Sequence, residues 1–166
     1  MHSAMQSPRE AQTSPPWRLR RRVLPQHTDH AGVMWHGTYL AWLEEARVEA
    51  LAAAGLAYAD LSAQGLELPV VGLSIDYRQA LLHGEWIDLE SWVLPRRGVK
   101  LPWRSRFLKP DGRVAAEASV ELVLVDHGGR DGGRDGGGDG GQGHRLLRQL
   151  PAALAAAVER LQRGPA

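Results

Sequence analysis

A chain of 166 residues with 43% hydrophobic content is long enough for one domain with a substantial core and short for two. Its net charge of +1 at pH 7 arises from 20 basic and 19 acidic side chains, so bulk charge gives no reason to expect nucleic acid or an anionic membrane as partner. The absence of cysteine excludes disulfides, thiolate nucleophiles and Cys-based zinc sites, and without an apolar span or a signal-type apolar segment a soluble cytoplasmic protein is expected.

Residues 1–16 are polar, close on Pro15-Pro16 and show no hydrophobic period, so a disordered leader is expected there. From 17 to 25 the residues alternate, Trp17, Leu19, Arg21 and Val23 against Arg18, Arg20, Arg22 and Leu24, which predicts a strand with one strongly basic, solvated face. Good helix formers fill 38–54, with Leu40, Leu43, Ala46, Ala50 and Ala54 near helical spacing and Gly55 as a stop. Its alanines let a helix lie close against a sheet, so this is read as the buried central helix. A second short helix is expected over 58–64.

Strand-like segments follow at 68–77, 86–94, 101–108 and 114–125, divided by His83-Gly84-Glu85, Arg96-Arg97-Gly98 and Lys109-Pro110-Asp111-Gly112-Arg113. The last of these has the Pro-Asp-Gly order of a tight reversal and makes the final two strands a hairpin. Ala116, Ala118, Val120, Leu122 and Leu124 share one parity, which places an apolar face on the helix. The run 127–144 is almost wholly Gly, Asp and Arg and is expected to be a flexible loop. Beyond it, 145–166 carries Pro151 as a helix start and Leu154, Val158 and Leu161 on one helical face, an amphipathic helix docking on the 17–126 domain.

The segment from His27 to Tyr39 packs three histidines, one aspartate, two glycines and a tryptophan between a strand and a helix. Loops held by rigid elements are where chemistry concentrates. Asp29 precedes the helix closely enough for its carboxylate to lie beside first-turn amides, where the helix dipole favours negative charge and an oxyanion alike. An aspartate here also serves simply to cap a turn, and spacing alone leaves both roles open. His27, His30 and His36 with Asp29 do not follow a mechanism-bearing zinc spacing, so no metal is expected.

The run T-D-H-A-G-V-M-W-H-G-T-Y-L-A-W-L-E-E-A-R, residues 28–47, resembles the signature of the 4-hydroxybenzoyl-CoA thioesterase family: an acid, a glycine and an aromatic-His pair ahead of a helix bearing E-x-A-R. The resemblance implies an α+β hotdog fold, a curved antiparallel sheet wrapped around a long central helix, and hydrolysis of an acyl- or aroyl-CoA to free acid and CoA. It places the essential acid at Asp29 and the carbonyl-polarising amide at His36, with Gly32 and Trp35 supporting the loop. The sequence departs from the family at His27, where an aspartate is usual, and at His30.

Hydrolysis of a thioester needs positioned water, a basic carboxylate and an oxyanion donor, so no metal or redox cofactor is expected and CoA enters only as part of the substrate. The resemblance implies that Asp29 serves as general base or as nucleophile, and the sequence leaves the two routes open. Arg96, Arg97 and Lys100 are the candidates for holding the CoA phosphates, against the plainer reading of solvated turn charges. Trp35, Trp42 and Trp86 are candidate pocket walls, and Glu44, Glu45 and Arg47 candidate interface residues or an i to i+3 salt bridge. The resemblance also implies a homodimer or homotetramer. Two alternatives compete: a non-catalytic acyl-CoA-binding protein of the same fold, and an enoyl-CoA hydratase, which wants a tighter Asp–His spacing than the six residues between Asp29 and His36.

Overall fold

The computed structural model describes residues 13–128 and 144–166. Most of the expected leader (1–12) and of the Gly/Asp-rich segment (129–143) lies outside the described residues. The elements run β1 (Trp17–Arg22), α1 (His36–Ala53), α2 (Tyr58–Ala63), β2 (Leu66–Glu67), β3 (Val70–Tyr77), β4 (Trp86–Val93), β5 (Leu101–Leu108), β6 (Val114–Leu122), β7 (Val125–Asp126), β8 (Arg145–Leu146) and α3 (Ala152–Arg163). Five of these strands form one antiparallel sheet in the order β1-β4-β5-β6-β3, and β2-β7-β8 form a second, small one. This is the hotdog arrangement, an antiparallel sheet holding a long helix.

The period-two pattern of the strands explains which face meets α1. Ile87, Leu89 and Val93 of β4, Leu101, Trp103 and Phe107 of β5, and Ala116, Ala118, Val120 and Leu122 of β6 are all buried. Against them α1 sets Tyr39, Trp42, Leu43, Ala46, Ala50 and Leu51, three- and four-residue steps along one side of the helix. Alanine at 46 and 50 removes side-chain bulk where the helix lies on the sheet. One polar pair sits inside this layer: Ser91 and Ser105 face each other across β4 and β5 and share a 2.7 Å hydrogen bond, so neither hydroxyl is left unpaired.

The outer face is a ladder of charges. Glu90 is 2% exposed yet bonded on both sides, to Arg18 on β1 and Arg106 on β5, each at 3.0 Å. Arg20 approaches Asp88 at 3.9 Å, and Arg20 and Arg22 lie over the Trp86 ring. Arg18, Arg20 and Arg22 of β1 therefore answer acids and an aromatic ring on the neighbouring strand.

Two boundaries differ from the sequence reading. The 114–125 segment is not one strand: β6 ends at Leu122, Val123 and Leu124 are buried outside any strand, and Val125–Asp126 pair with β2 in the small sheet as β7. Leu124 O then accepts Leu147 N–H, tying the residues that lead into α3 to the domain. At the other end, residues 13–16 lie against the sheet, with Trp92 Nε1 donating to Ser14 O at 3.0 Å. The α3 helix is anchored by Leu154, Ala157, Val158 and Leu161, by Trp17 Nε1 donating to Leu161 O, and by Arg160, whose side chain donates to Ala54 O at the C-terminal end of α1. No helix among the described residues is long and apolar enough to cross a membrane.

Candidate functional site

Between β1 and α1 the chain makes a short 3₁₀ turn at Pro25–His27 and then a tight reversal at Asp29. Asp29 N donates to Val33 O at 2.9 Å and Gly32 N to Asp29 O at 3.1 Å, closing the reversal. Gly32 has φ +77°, the left-handed region where a side chain is strained, so glycine is required by the turn itself. Asp29 Oδ1 accepts Ala31 N–H at 2.8 Å and Val33 N–H at 3.2 Å. The carboxylate is thus held by the amides of its own turn, the capping role that spacing left open, and makes no hydrogen bond to the first-turn amides of α1. Turn-capping and chemistry do not compete for the same atom, since Oδ2 has no hydrogen-bond partner among the described residues and Asp29 is exposed.

Helix α1 begins at His36 behind Trp35, with no side-chain cap and no acid in the first turn. Thr38 N bonds Trp35 O, while the His36 and Gly37 amides have no partner among the described residues outside the helix. Uncompensated N–H groups at a helix start carry partial positive charge and suit an oxyanion. The Trp35 ring lies across this turn, edge-on to the His36 imidazole at 5.1 Å, and leaves no room for a Cβ on Gly37. Gly37 is therefore needed for the tryptophan to cover the helix start, a requirement that composition alone did not single out. Beneath it, buried Tyr39 packs edge-on against Tyr77 and Phe107 at about 5 Å, and burial pushes its hydroxyl to about 12, so it stays protonated and is no base at neutral pH.

The other histidines have local tasks. His27 Nδ1 accepts Leu24 N–H at 3.1 Å, its ring meets Trp42 edge-on at 5.3 Å, and its carbonyl accepts from Trp35 N and the Thr38 hydroxyl. An aspartate would supply the same side-chain acceptor, which rationalises the exchange at this position. His30 is exposed on the turn and makes no side-chain hydrogen bond among the described residues.

Trp35 apart, the remaining candidates are not gathered with Asp29. Arg96, Arg97 and Lys100 occupy the β4–β5 turn, at the opposite end of β4 from Glu85 and Val23; eight strand residues separate the two ends, about 25 Å. Arg96 donates to Arg148 O at 3.3 Å, and Lys100 pairs with Glu121 at 2.7 Å. Of the three tryptophans, Trp35 lies at the helix start, Trp42 is core and Trp86 is on the outer sheet face. Glu45 pairs with Arg21, while no Glu44–Arg47 salt bridge forms. Arg47 instead lines a cavity of about 250 Å³ with Glu44, Leu51, Tyr58, Trp103 and Val158, between α1, α2, α3 and the sheet. Burial lowers the Arg47 pKa, opposed by Glu44 and Tyr58. Eleven helical steps, roughly 16 Å, separate it from His36.

Comparison with known proteins adds the lineage. A Synechocystis sp. protein named as an esterase is 38% identical over 118 residues, spanning 70% of this chain and 71% of that protein. The acyl-CoA thioester hydrolase YbgC of Escherichia coli is 27% identical over 105 residues, 63% of this chain and 78% of the relative. Among solved structures, the DHNA-CoA thioesterase of Staphylococcus aureus superposes with a TM-score of 0.63 at 26% identity, covering 67% of this chain and 74% of that one. The thioesterase-like superfamily matches residues 23–158, from the end of β1 through the turn of Asp29, the whole of α1 and the sheet into α3, and the chain belongs to it.

Proposed function

We propose that this protein is an acyl-CoA thioesterase of the 4-hydroxybenzoyl-CoA type, with Asp29 as the reacting carboxylate and the His36 amide as oxyanion donor. The observation that carries the reading is a carboxylate with one oxygen pinned by its own turn and the other unpaired, just ahead of a helix start whose amides have no cap. As general base, Asp29 takes a proton from water while the oxygen attacks the thioester carbonyl. The oxyanion is stabilised at the α1 N-terminus, and collapse of the tetrahedral species breaks the C–S bond, the thiolate recovering the proton from Asp29. As nucleophile, the carboxylate forms a mixed anhydride that water then opens. A single turnover in ¹⁸O water reports the anhydride route when water opens the anhydride at the Asp29 carbonyl: protein oxygen then enters the acid, which the general-base route does not allow. Release of free CoA thiol, measured for wild type and Asp29→Asn, tests the function itself and separates hydrolysis from water addition to an enoyl-CoA.

The separation along α1 of the cavity at Arg47 from the helix start at His36, and of the basic turn from the opposite end of β4, favours a homodimer with composite sites. Strand β3 ends the sheet and shows Val71, Leu73 and Tyr77 at 53%, 45% and 54% exposure, an apolar edge that an isolated chain would leave open to pairing. In this reading two β3 edges meet, the 250 Å³ cavity takes an acyl group presented to Asp29 of the partner subunit, and Arg96, Arg97 and Lys100 hold the phosphates of that same substrate. Leu73→Arg is expected to shift the protein toward monomer in sedimentation at micromolar concentration and to lower activity with it; a dimer retained by this variant argues against the β3 interface. Arg97→Glu is expected to raise KM for an acyl-CoA by about 10-fold, as loss of a phosphate contact and addition of like charge do, with little effect on the matching acyl-pantetheine, which lacks the nucleotide. Equal effects on both substrates would place the nucleotide elsewhere.

A further inference from the structure

Lys109 belongs to the β5–β6 reversal, a segment whose sequence explains a turn and nothing more. Its ammonium does not point to solvent. The side chain is 11% exposed, and Nζ donates to Ala80 O at 2.8 Å and to Glu85 Oε1 at 3.1 Å, with Glu85 Oε2 at 3.0 Å. One cation thus clamps both ends of the 80–85 crossing between β3 and β4. That crossing is the strip of backbone on which the Asp29 turn rests: Met34 N donates to Leu81 O at 2.8 Å, Leu82 bridges Val33, and His83 N donates to Gly32 O at 3.2 Å. Val33 N is in turn one of the two amides on Asp29 Oδ1. Leu81, 0% exposed, plugs the crossing into the core, so the strip is fixed by a buried side chain in the middle and by the ammonium at both ends.

We propose that the Lys109–Glu85 pair is a positioning device for the reacting carboxylate, acting through Ala80–His83 and Gly32–Met34 on the orientation of Asp29. This rests on the reading of Asp29 as the reacting group. The physical argument is one of cost. A largely buried ion pair returns little net stability, because desolvating both charges offsets their attraction, and an apolar pair of similar volume serves stability as well. What an apolar pair does not supply is the donor to Ala80 O, and with it the register of the strip beneath the turn. A small displacement of a reacting group from remote mutation is enough to cost one to two orders of magnitude in rate.

The test uses the full-length protein with Lys109→Met, the paired Lys109→Met/Glu85→Met variant and Lys109→Arg. The paired variant avoids stranding a buried charge and is expected to keep the wild-type melting midpoint within a few degrees. It is also expected to lower kcat by about 10-fold with KM within about 3-fold, and to speed amide exchange at Val33 and Met34 by about 10-fold while Leu89 and Phe107 in the sheet are unchanged. Lys109→Arg, which retains a donor and the charge, is expected to restore most of both. Unchanged exchange at Val33 and Met34 in a folded paired variant overturns the proposal, as does a rise in KM alone. Exchange reads the strip whether or not Asp29 reacts, so retained turnover by Asp29→Asn strikes the chemical reading while unchanged exchange strikes this one.

Discussion

Asp29→Asn is expected to lower CoA thiol release by at least about 100-fold, the usual range for loss of a general base, while leaving the protein folded. The substitution separates two roles that the same side chain carries. Asparagine keeps one carbonyl oxygen, which can go on accepting Ala31 N–H and Val33 N–H, and asparagine is as good a turn residue as aspartate. What is lost is the second oxygen as proton acceptor or nucleophile, since the amide nitrogen at that place is neither. Asp29→Ala removes both roles and is expected to lose activity together with some stability. Near-wild-type turnover by the asparagine variant, at an unchanged melting midpoint, would reduce Asp29 to a turn cap and would sink the proposed mechanism.

Phe107→Ala is expected to destabilise the fold by about 3–5 kcal/mol, the largest stability effect of any single truncation considered for this chain. The ring is 0% exposed, on the inner face of β5, opposite Leu89 on β4 and Ala116 on β6. Neither neighbour is able to refill the volume, because alanine is too small and Leu89 is itself wholly buried. The ring also stands edge-on to Tyr39, which is four residues into the chain from Trp35 and forms part of the first turn of α1. For a domain of this size a loss of that magnitude lowers the melting midpoint by roughly 10 °C. Urea unfolding measures it directly, and a loss under about 1 kcal/mol would mean that the cluster of Tyr39, Tyr77 and Phe107 is not packed as described.

Local chemistry made much of this legible. Pro-Asp-Gly after Lys109 specified a reversal because each residue supplies what a turn needs, and Asp111 Oδ1 does accept Arg113 N–H there. The alternation in β6 specified its inner face, and Ala116, Ala118, Val120 and Leu122 are all buried. The helix was readable to within two residues at its start, where the spacing began at 38 and α1 begins at His36. The missing turn is His36-Gly37: glycine counts against a helix by propensity, and only the ring of Trp35 lying over it gives the reason for its presence. Lys109 shows the same limit from the other side. As a residue it reads as a solvated charge beside a turn, and only the arrival of Ala80 and Glu85 from elsewhere in the chain makes it a clamp.

By itself, then, the sequence determined the α+β class, the long helix and the main strands, because turns and periodicities act over a few neighbouring residues, and its acid-glycine-aromatic-His loop carried the resemblance to a thioesterase family. The strand order that leaves β3 as an exposed apolar edge, the placing of the basic Arg96–Lys100 turn at the far end of β4 from Glu85, the burial of Glu90 and the enclosure of the Lys109 side chain were decided only by the tertiary structure. Each depends on pairings between residues distant in the chain, and no local pattern encodes which strand becomes the neighbour of which.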